Sequence, residues 1–172
     1  LGGRLLSLVS AYLVALLTDR VLLVNFPHVR TLFCEPFSRS SWIFPQKRLG
    51  ELNRFLPIAM ALQTRSPVRI ARLRLRDPGQ WGNAEAGDDA QFLTCHGNIK
   101  AMTSHIQMLL VESPTGFVEL LQYNPSHRDR LGELFDGAGM YSLLMKNLLH
   151  PSNDMWFRLI DSYHTHYTNE YD

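Results

Sequence analysis

Leu5-Leu6-Ser7-Leu8-Val9-Ser10-Ala11-Tyr12-Leu13-Val14-Ala15-Leu16-Leu17 runs directly into Thr18-Asp19-Arg20 and then Val21-Leu22-Leu23-Val24. The first run is apolar apart from two serines, and it is shorter than the ~20 residues that cross a bilayer. A helix buried on all sides, a polar turn and a short buried strand account for the pattern. Gly2-Gly3-Arg4 stands at the head of that helix. A glycine-led helix feeding a buried strand is the unit from which α/β folds are built, so the predicted class is α/β.

Further along, residues 32–45 carry Cys34-Glu35-Pro36-Phe37 and Ser40-Ser41-Trp42-Ile43-Phe44-Pro45, too punctuated by proline and serine for a regular element. An ordered loop anchored by aromatics is expected. Leu49, Leu52, Leu56 and Met60 have helical spacing, and Pro57 kinks that helix or begins a second one. Arg72-Leu73-Arg74-Leu75-Arg76 alternates with period two, which predicts a half-buried strand with its arginines outward, as edge protection. Residues 77–89 read as a surface loop, residues 91–95 as a short strand, residues 106–111 as a buried strand and residues 117–121 as a further apolar piece. Two helices close the chain: Met140, Leu143, Leu144 and Leu148 share one face, and Trp156, Leu159, Ile160, Tyr163 and Tyr167 another. Between them Pro151 ends the first helix, and Ser152 or Asn153 can cap the second.

With 172 residues, 45% hydrophobic and 19% charged, the chain has enough apolar surface to bury one core. A net charge of +1 argues against a dedicated nucleic-acid binder. The charge is nevertheless bipolar: residues 1–87 hold 12 basic and 5 acidic side chains, residues 88–172 hold 5 and 11. Cys34 and Cys95 lie far apart, and neither they nor the seven histidines form a metal-binding spacing.

Backbone N–H groups at a glycine-led helix start can hold a phosphate or a sugar hydroxyl, and Arg4 adds a planar charged fork. Taken alone, the triplet reads first as a tight turn with a solvated arginine. A nucleic-acid site on residues 65–76 requires the arginines to form one exposed stripe beside aromatics. His150 connects two helices; it is also a candidate general base or hydroxyl-orienting donor, although no partner carboxylate is visible for it.

These segments together resemble the plant xyloglucan fucosyltransferase family. The family's G-L-G-N-R turn and following helix are similar to Leu1-Gly2-Gly3-Arg4 and residues 8–24; its L-F-C-E-P-F and S-S/T-W segments match residues 32–37 and 40–45; its H-P-S/T-N-x-V/M-W segment matches His150-Pro151-Ser152-Asn153-Asp154-Met155-Trp156. The resemblance implies transfer of L-fucose from GDP-fucose to the 2-hydroxyl of galactose on a cell-wall polysaccharide such as galactosylated xyloglucan. It implies inversion, no metal and no cofactor, and a Golgi-lumen domain whose membrane anchor lies outside this stretch. It also implies a Rossmann-like N-terminal domain of a two-domain GT-B glycosyltransferase, with residues 1–172 as a single α/β domain truncated at both ends and most of the GDP-binding half beyond Asp172. Gly2, Gly3, Arg4, His150 and Asn153 become the expected substrate-binding residues.

Two positions depart from the family pattern. Gly3 replaces the amide of G-L-G-N-R, and Pro114 stands where an acidic or amide residue is expected, with Glu112 nearby. A noncatalytic glycan-binding or scaffolding protein on the same fold is the competing reading. A lumenal setting further predicts that Cys34 and Cys95 are disulfide-compatible.

Overall fold

The computed structural model describes residues 2–26, 28–64, 66–76, 89–95, 97–136 and 139–167. The quoted apolar run is helix α1 (Gly2–Thr18), with Leu8, Val9, Leu13, Val14 and Leu17 in the core. Each such side chain contributes about 1.5–3 kcal/mol of transfer free energy, which holds the helix in place far more firmly than its intrinsic propensity. Its serines have separate tasks. The Ser10 hydroxyl is fully buried, donates to the Leu6 carbonyl at 2.8 Å and accepts the Phe117 N–H at 2.8 Å. Ser7 stays at the edge of an open cleft.

The polar triplet after α1 is a helix stop. Asp19 takes a left-handed conformation (φ 51°) and the Arg20 N–H returns to the Ala15 carbonyl at 2.9 Å, which satisfies an end-of-helix carbonyl. The Arg20 guanidinium then donates to the carbonyls of Thr103, Ile106 and Gln107 at 2.7, 2.8 and 3.2 Å. Lys100 pairs with Asp19 alongside.

Strands β1 (Leu56–Pro57), β2 (Val68–Arg74) and β3 (Ile106–Glu112) form a parallel sheet in the order β1-β2-β3, registered from Val68↔Ile106 to Arg74↔Glu112. The expected alternation holds over residues 72–76, with Leu73 and Leu75 buried and Arg74 exposed, but Val68, Ile70 and Ala71 are all buried, so both faces of β2 are covered toward its start. Its place is not the expected one: β2 is the central strand, so its arginines protect no edge. Residues 21–24 make no ladder of their own. Only Val24 bridges, to Ile43, and Val21 is 81% exposed. The sequence shows a strand-like run there, but a strand exists only where a neighbour supplies hydrogen bonds.

The remaining helices are α2 (Val29–Leu32), α3 (Ile58–Gln63), α4 (Ala90–Cys95), α5 (Ile99–Met102), α6 (Val118–Gln122), α7 (Arg128–Phe135), α8 (Met140–Leu148) and α9 (Asn153–Tyr167). Residues 46–54 form a 3₁₀ helix, and Pro57 both pairs in β1 and starts α3, where its missing N–H is harmless. Residues 91–95 are helical rather than extended, because Phe92 and Leu93 are buried side by side and a helix turn accommodates adjacent apolar residues as readily as a strand. Of the expected loop at 77–89, only Asp89 lies within the described residues. In α8, Leu144 and Leu148 are buried as their spacing predicts. The apolar face of α9 is different: Trp156, Leu159, Ile160 and Tyr163 are all exposed. No helix among the described residues is long and apolar enough to cross a membrane.

His127, buried between α6 and α7 with its Nε2 unpartnered, has its imidazole pushed below the ordinary value by burial. The folded state therefore keeps it neutral while the unfolded chain takes up a proton. Its contribution is fully present above about pH 6.5 and is lost as pH falls toward the depressed folded value. Urea midpoints measured between about pH 7.5 and about pH 5 are expected to fall more steeply for the wild type than for His127→Phe.

Candidate functional site

Along the free side of β3 runs a cleft of about 930 Å³. Residues 107–113 form one wall and residues 20–26 the other, while α1 lines the floor through Arg4, Ser7, Ala11 and Val14. Helix and strand are antiparallel. Arg20 at the end of α1 binds the amino-terminal end of β3, and Gly3 at its start meets Pro114 just beyond the carboxyl end. Arg4 therefore lies at the carboxyl ends of the strands, where open α/β sheets bind ligands. Its guanidinium lies 5.7 Å from the centre of the Phe26 ring.

Gly2 and Gly3, the other two members of the expected triplet, have different surroundings. A Cβ on Gly2 would meet nothing within 4 Å, whereas one on Gly3 would come to 2.7 Å from the Pro114 carbonyl oxygen. The two departures from the family pattern thus meet in a single contact: without a side chain at position 3, the loop after β3 closes onto the first turn of α1. The Ser113 hydroxyl fixes that loop by donating to the Thr115 carbonyl at 2.7 Å. Gly3→Ala is expected to destabilise by about 1–3 kcal/mol through overpacking, even though alanine favours a helix by about 1 kcal/mol. Gly2→Ala, free of that clash, is expected to be neutral or stabilising, and urea titration of the pair reads the opposite signs.

Beyond the triplet, the cleft holds a constellation that motif spacing did not reveal. Arg72 stacks over the Phe55 ring with its guanidinium carbon 4.6 Å from the centroid, and it pairs with Glu112 Oε2. Phe55, Glu112, Ser113 and Asn53 all border the same space as Arg4. Among the described residues that line it, Glu112 is the sole acidic side chain. Strand alternation was the available signal, since it placed Arg72 on one strand face; the register that sets it beside Glu112 on β3 is tertiary.

His150 and Asn153 are not brought to this cleft. Both are exposed, His150 in the turn between α8 and α9 and Asn153 at the first position of α9. That turn is stitched to residues 31–34: the Cys34 N–H donates to the His150 carbonyl at 2.8 Å, Ser152 N–H to the Leu32 carbonyl at 2.9 Å and Ser152 Oγ to the Thr31 carbonyl at 2.8 Å. Ser152, rather than Asn153, caps α9 by accepting the Met155 N–H at 3.2 Å. Glu35 holds the adjoining loop, accepting Ser41 Oγ–H at 2.8 Å and the Trp42 N–H at 3.0 Å. Two of the three motif regions are therefore joined as one brace.

The cysteines do not pair. Both thiols are free and exposed; Cys34 approaches the Pro151 carbonyl and Cys95 the Thr94 hydroxyl. Cys34 is thus held against the distant turn at Pro151, and Cys95 by its chain neighbour. The arginines of β2 form no single stripe, because Arg69 lies on the opposite strand face from Arg72 and Arg74 and pairs with Glu51 at 3.7 Å.

A parallel sheet with a helix packed antiparallel to its strands, and a cleft along the edge strand with an arginine of a helix start at its carboxyl end, defines the Rossmann-like α/β class. Comparison with known proteins specifies it further: the xyloglucan fucosyltransferase family model matches residues 1–172, and the chain belongs to that family. It is 33% identical to a galactoside 2-alpha-L-fucosyltransferase of Pisum sativum, over 95% of this chain and 30% of that protein. A galactoside 2-alpha-L-fucosyltransferase of Arabidopsis thaliana is 31% identical over 100% of this chain and 32% of its own length. The chain thus spans about a third of the length of the curated relatives it matches. A solved structure of an Arabidopsis thaliana FUT1 mutant in complex with GDP superposes with a TM-score of 0.77 at 29% identity, covering 98% of this chain and 39% of that one.

Proposed function

We propose that the complete protein containing this domain transfers L-fucose from GDP-fucose to the 2-hydroxyl of a galactosyl residue on xyloglucan or a related cell-wall glycan. The transfer inverts the anomeric carbon and needs no metal. The enzyme acts in the Golgi lumen, with its membrane anchor and its second, GDP-binding Rossmann-like domain outside these residues. The observation that carries this reading is Arg4, set on the first turn of α1 at the carboxyl ends of the parallel strands and bordering the cleft. The family match, the relatives' names and the GDP in the neighbouring structure support it.

The chemistry follows from the residues. Breaking the bond between fucose and the diphosphate builds negative charge on the leaving oxygen. A guanidinium fork on a helix start supplies both a charge and two parallel N–H donors for it. In an enclosed cleft that stabilisation is worth more than in water, and it needs a second wall to exclude solvent. Pro114 favours the alternative of a glycan-binding protein without transfer, since its ring offers no hydrogen-bonding group just beyond the carboxyl end of β3.

Incubating the complete purified protein with GDP-fucose and galactosylated xyloglucan, then mapping the product linkage, separates the two. Formation of a fucosyl-α-1,2-galactose linkage without added divalent cation is expected. Glycan binding without any transfer would establish the alternative.

A further inference from the structure

Resting on the fucosyltransferase reading, we propose that Glu112 is the general base that takes the proton of the acceptor's 2-hydroxyl, and that Arg72 holds it for that task. Three observations converge. Glu112 closes β3 at the carboxyl end of the strand and borders the cleft together with Arg4. Its Oε2 is committed to Arg72, while Oε1 has no partner among the described residues and the side chain is 41% exposed. Arg72 in turn is fixed by the Phe55 ring and by burial of its Nε, so the carboxylate is anchored on one oxygen and free on the other.

A carboxylate suits the step. As the bond from fucose C1 to the diphosphate oxygen breaks, its electron pair leaves with GDP and the sugar gains oxocarbenium character. The acceptor oxygen then forms the new bond to C1, and its hydroxyl becomes acidic only as that bond develops. The proton passes to Glu112 Oε1 and is later released to water. No stronger base is needed, and the cleft offers no other acidic side chain among its described residues. With the Pro114 side chain offering no hydrogen-bonding group, Glu112 takes the place of the acidic or amide side chain expected two residues on.

The test uses the complete protein and the variants Glu112→Gln and Glu112→Ala, with three readouts: kcat for transfer, the Kd of GDP and the thermal midpoint. Glu112→Gln is expected to lower kcat by about 10²–10⁴-fold with GDP affinity and midpoint unchanged. Formate, an anion that fits beside Arg72, is expected to restore part of the turnover of Glu112→Ala. Wild-type turnover in Glu112→Gln overturns the assignment alone. So does loss of midpoint and turnover together without formate rescue, which marks a structural carboxylate. A wild type that transfers nothing overturns the fucosyltransferase reading and this assignment with it.

Discussion

Arg4→Ala in the complete protein is expected to lower kcat/KM for fucose transfer by about 10²–10³-fold while moving the thermal midpoint by a few degrees at most. The asymmetry comes from what the side chain touches. Within the folded domain Arg4 is exposed, and its described contact is the face of Phe26. A surface cation–π contact is worth about 0.5–1 kcal/mol, so stability barely depends on it. A guanidinium opposite a developing anion in a closed cleft is worth several times more. Arg4→Lys serves as the control. It keeps the charge but not the planar fork, and an intermediate loss is expected. Parallel measurement of kcat/KM and unfolding midpoint decides: a variant that loses midpoint but keeps turnover would show that Arg4 is a structural group.

Trp42→Ala is expected to cost about 3–5 kcal/mol, a large share of the 5–15 kcal/mol that stabilises a typical domain. Trp42 is 1% exposed and is the largest fully buried side chain among the described residues. It sits in the loop held by Glu35, and its carbonyl accepts the Val24 N–H at 2.6 Å. Removing the indole empties the space between that loop and the segment after α1, and thus loosens the wall of the cleft. Trp42→Phe is expected to be much milder, under about 1.5 kcal/mol. The indole Nε1 is buried without a partner, so the phenyl ring removes an unsatisfied donor while retaining most of the volume. Urea unfolding checks both, through a fall in midpoint at constant slope.

Several elements were legible from residue order alone because their signals are local. The length of the apolar run from Leu5 to Leu17 suggested one helix, and its polar interruption at Thr18-Asp19-Arg20 suggested where it stops. The β-branched and aliphatic run of β3 and the alternation over residues 72–76 are of the same kind, although the run was expected buried and only Ile106 is, because β3 borders the open cleft. The same local reading gave the α/β class and set Arg4 on a helix start; motif resemblance added the family. What sequence left open depends on partners distant in the chain. Residues 21–24 look like a strand, yet a ladder needs a flanking strand, and only Val24 makes an isolated bridge, to Ile43. The face of α9 is apolar by spacing, but spacing does not say what covers it, and in this domain Trp156 and Tyr163 meet solvent. His150 and Asn153 were expected near substrate because they belong to a matching motif; that the turn beside them braces residues 31–34, and that neither lines the cleft, is set by the fold. The pairing of Arg72 with Glu112 across β2 and β3, and the contact of Gly3 with Pro114, join residues 40 and more than a hundred positions apart. Local periodicity fixes helices and strands because it repeats within a few residues; the cleft is set by sheet register and chain reversal, which only the folded chain supplies.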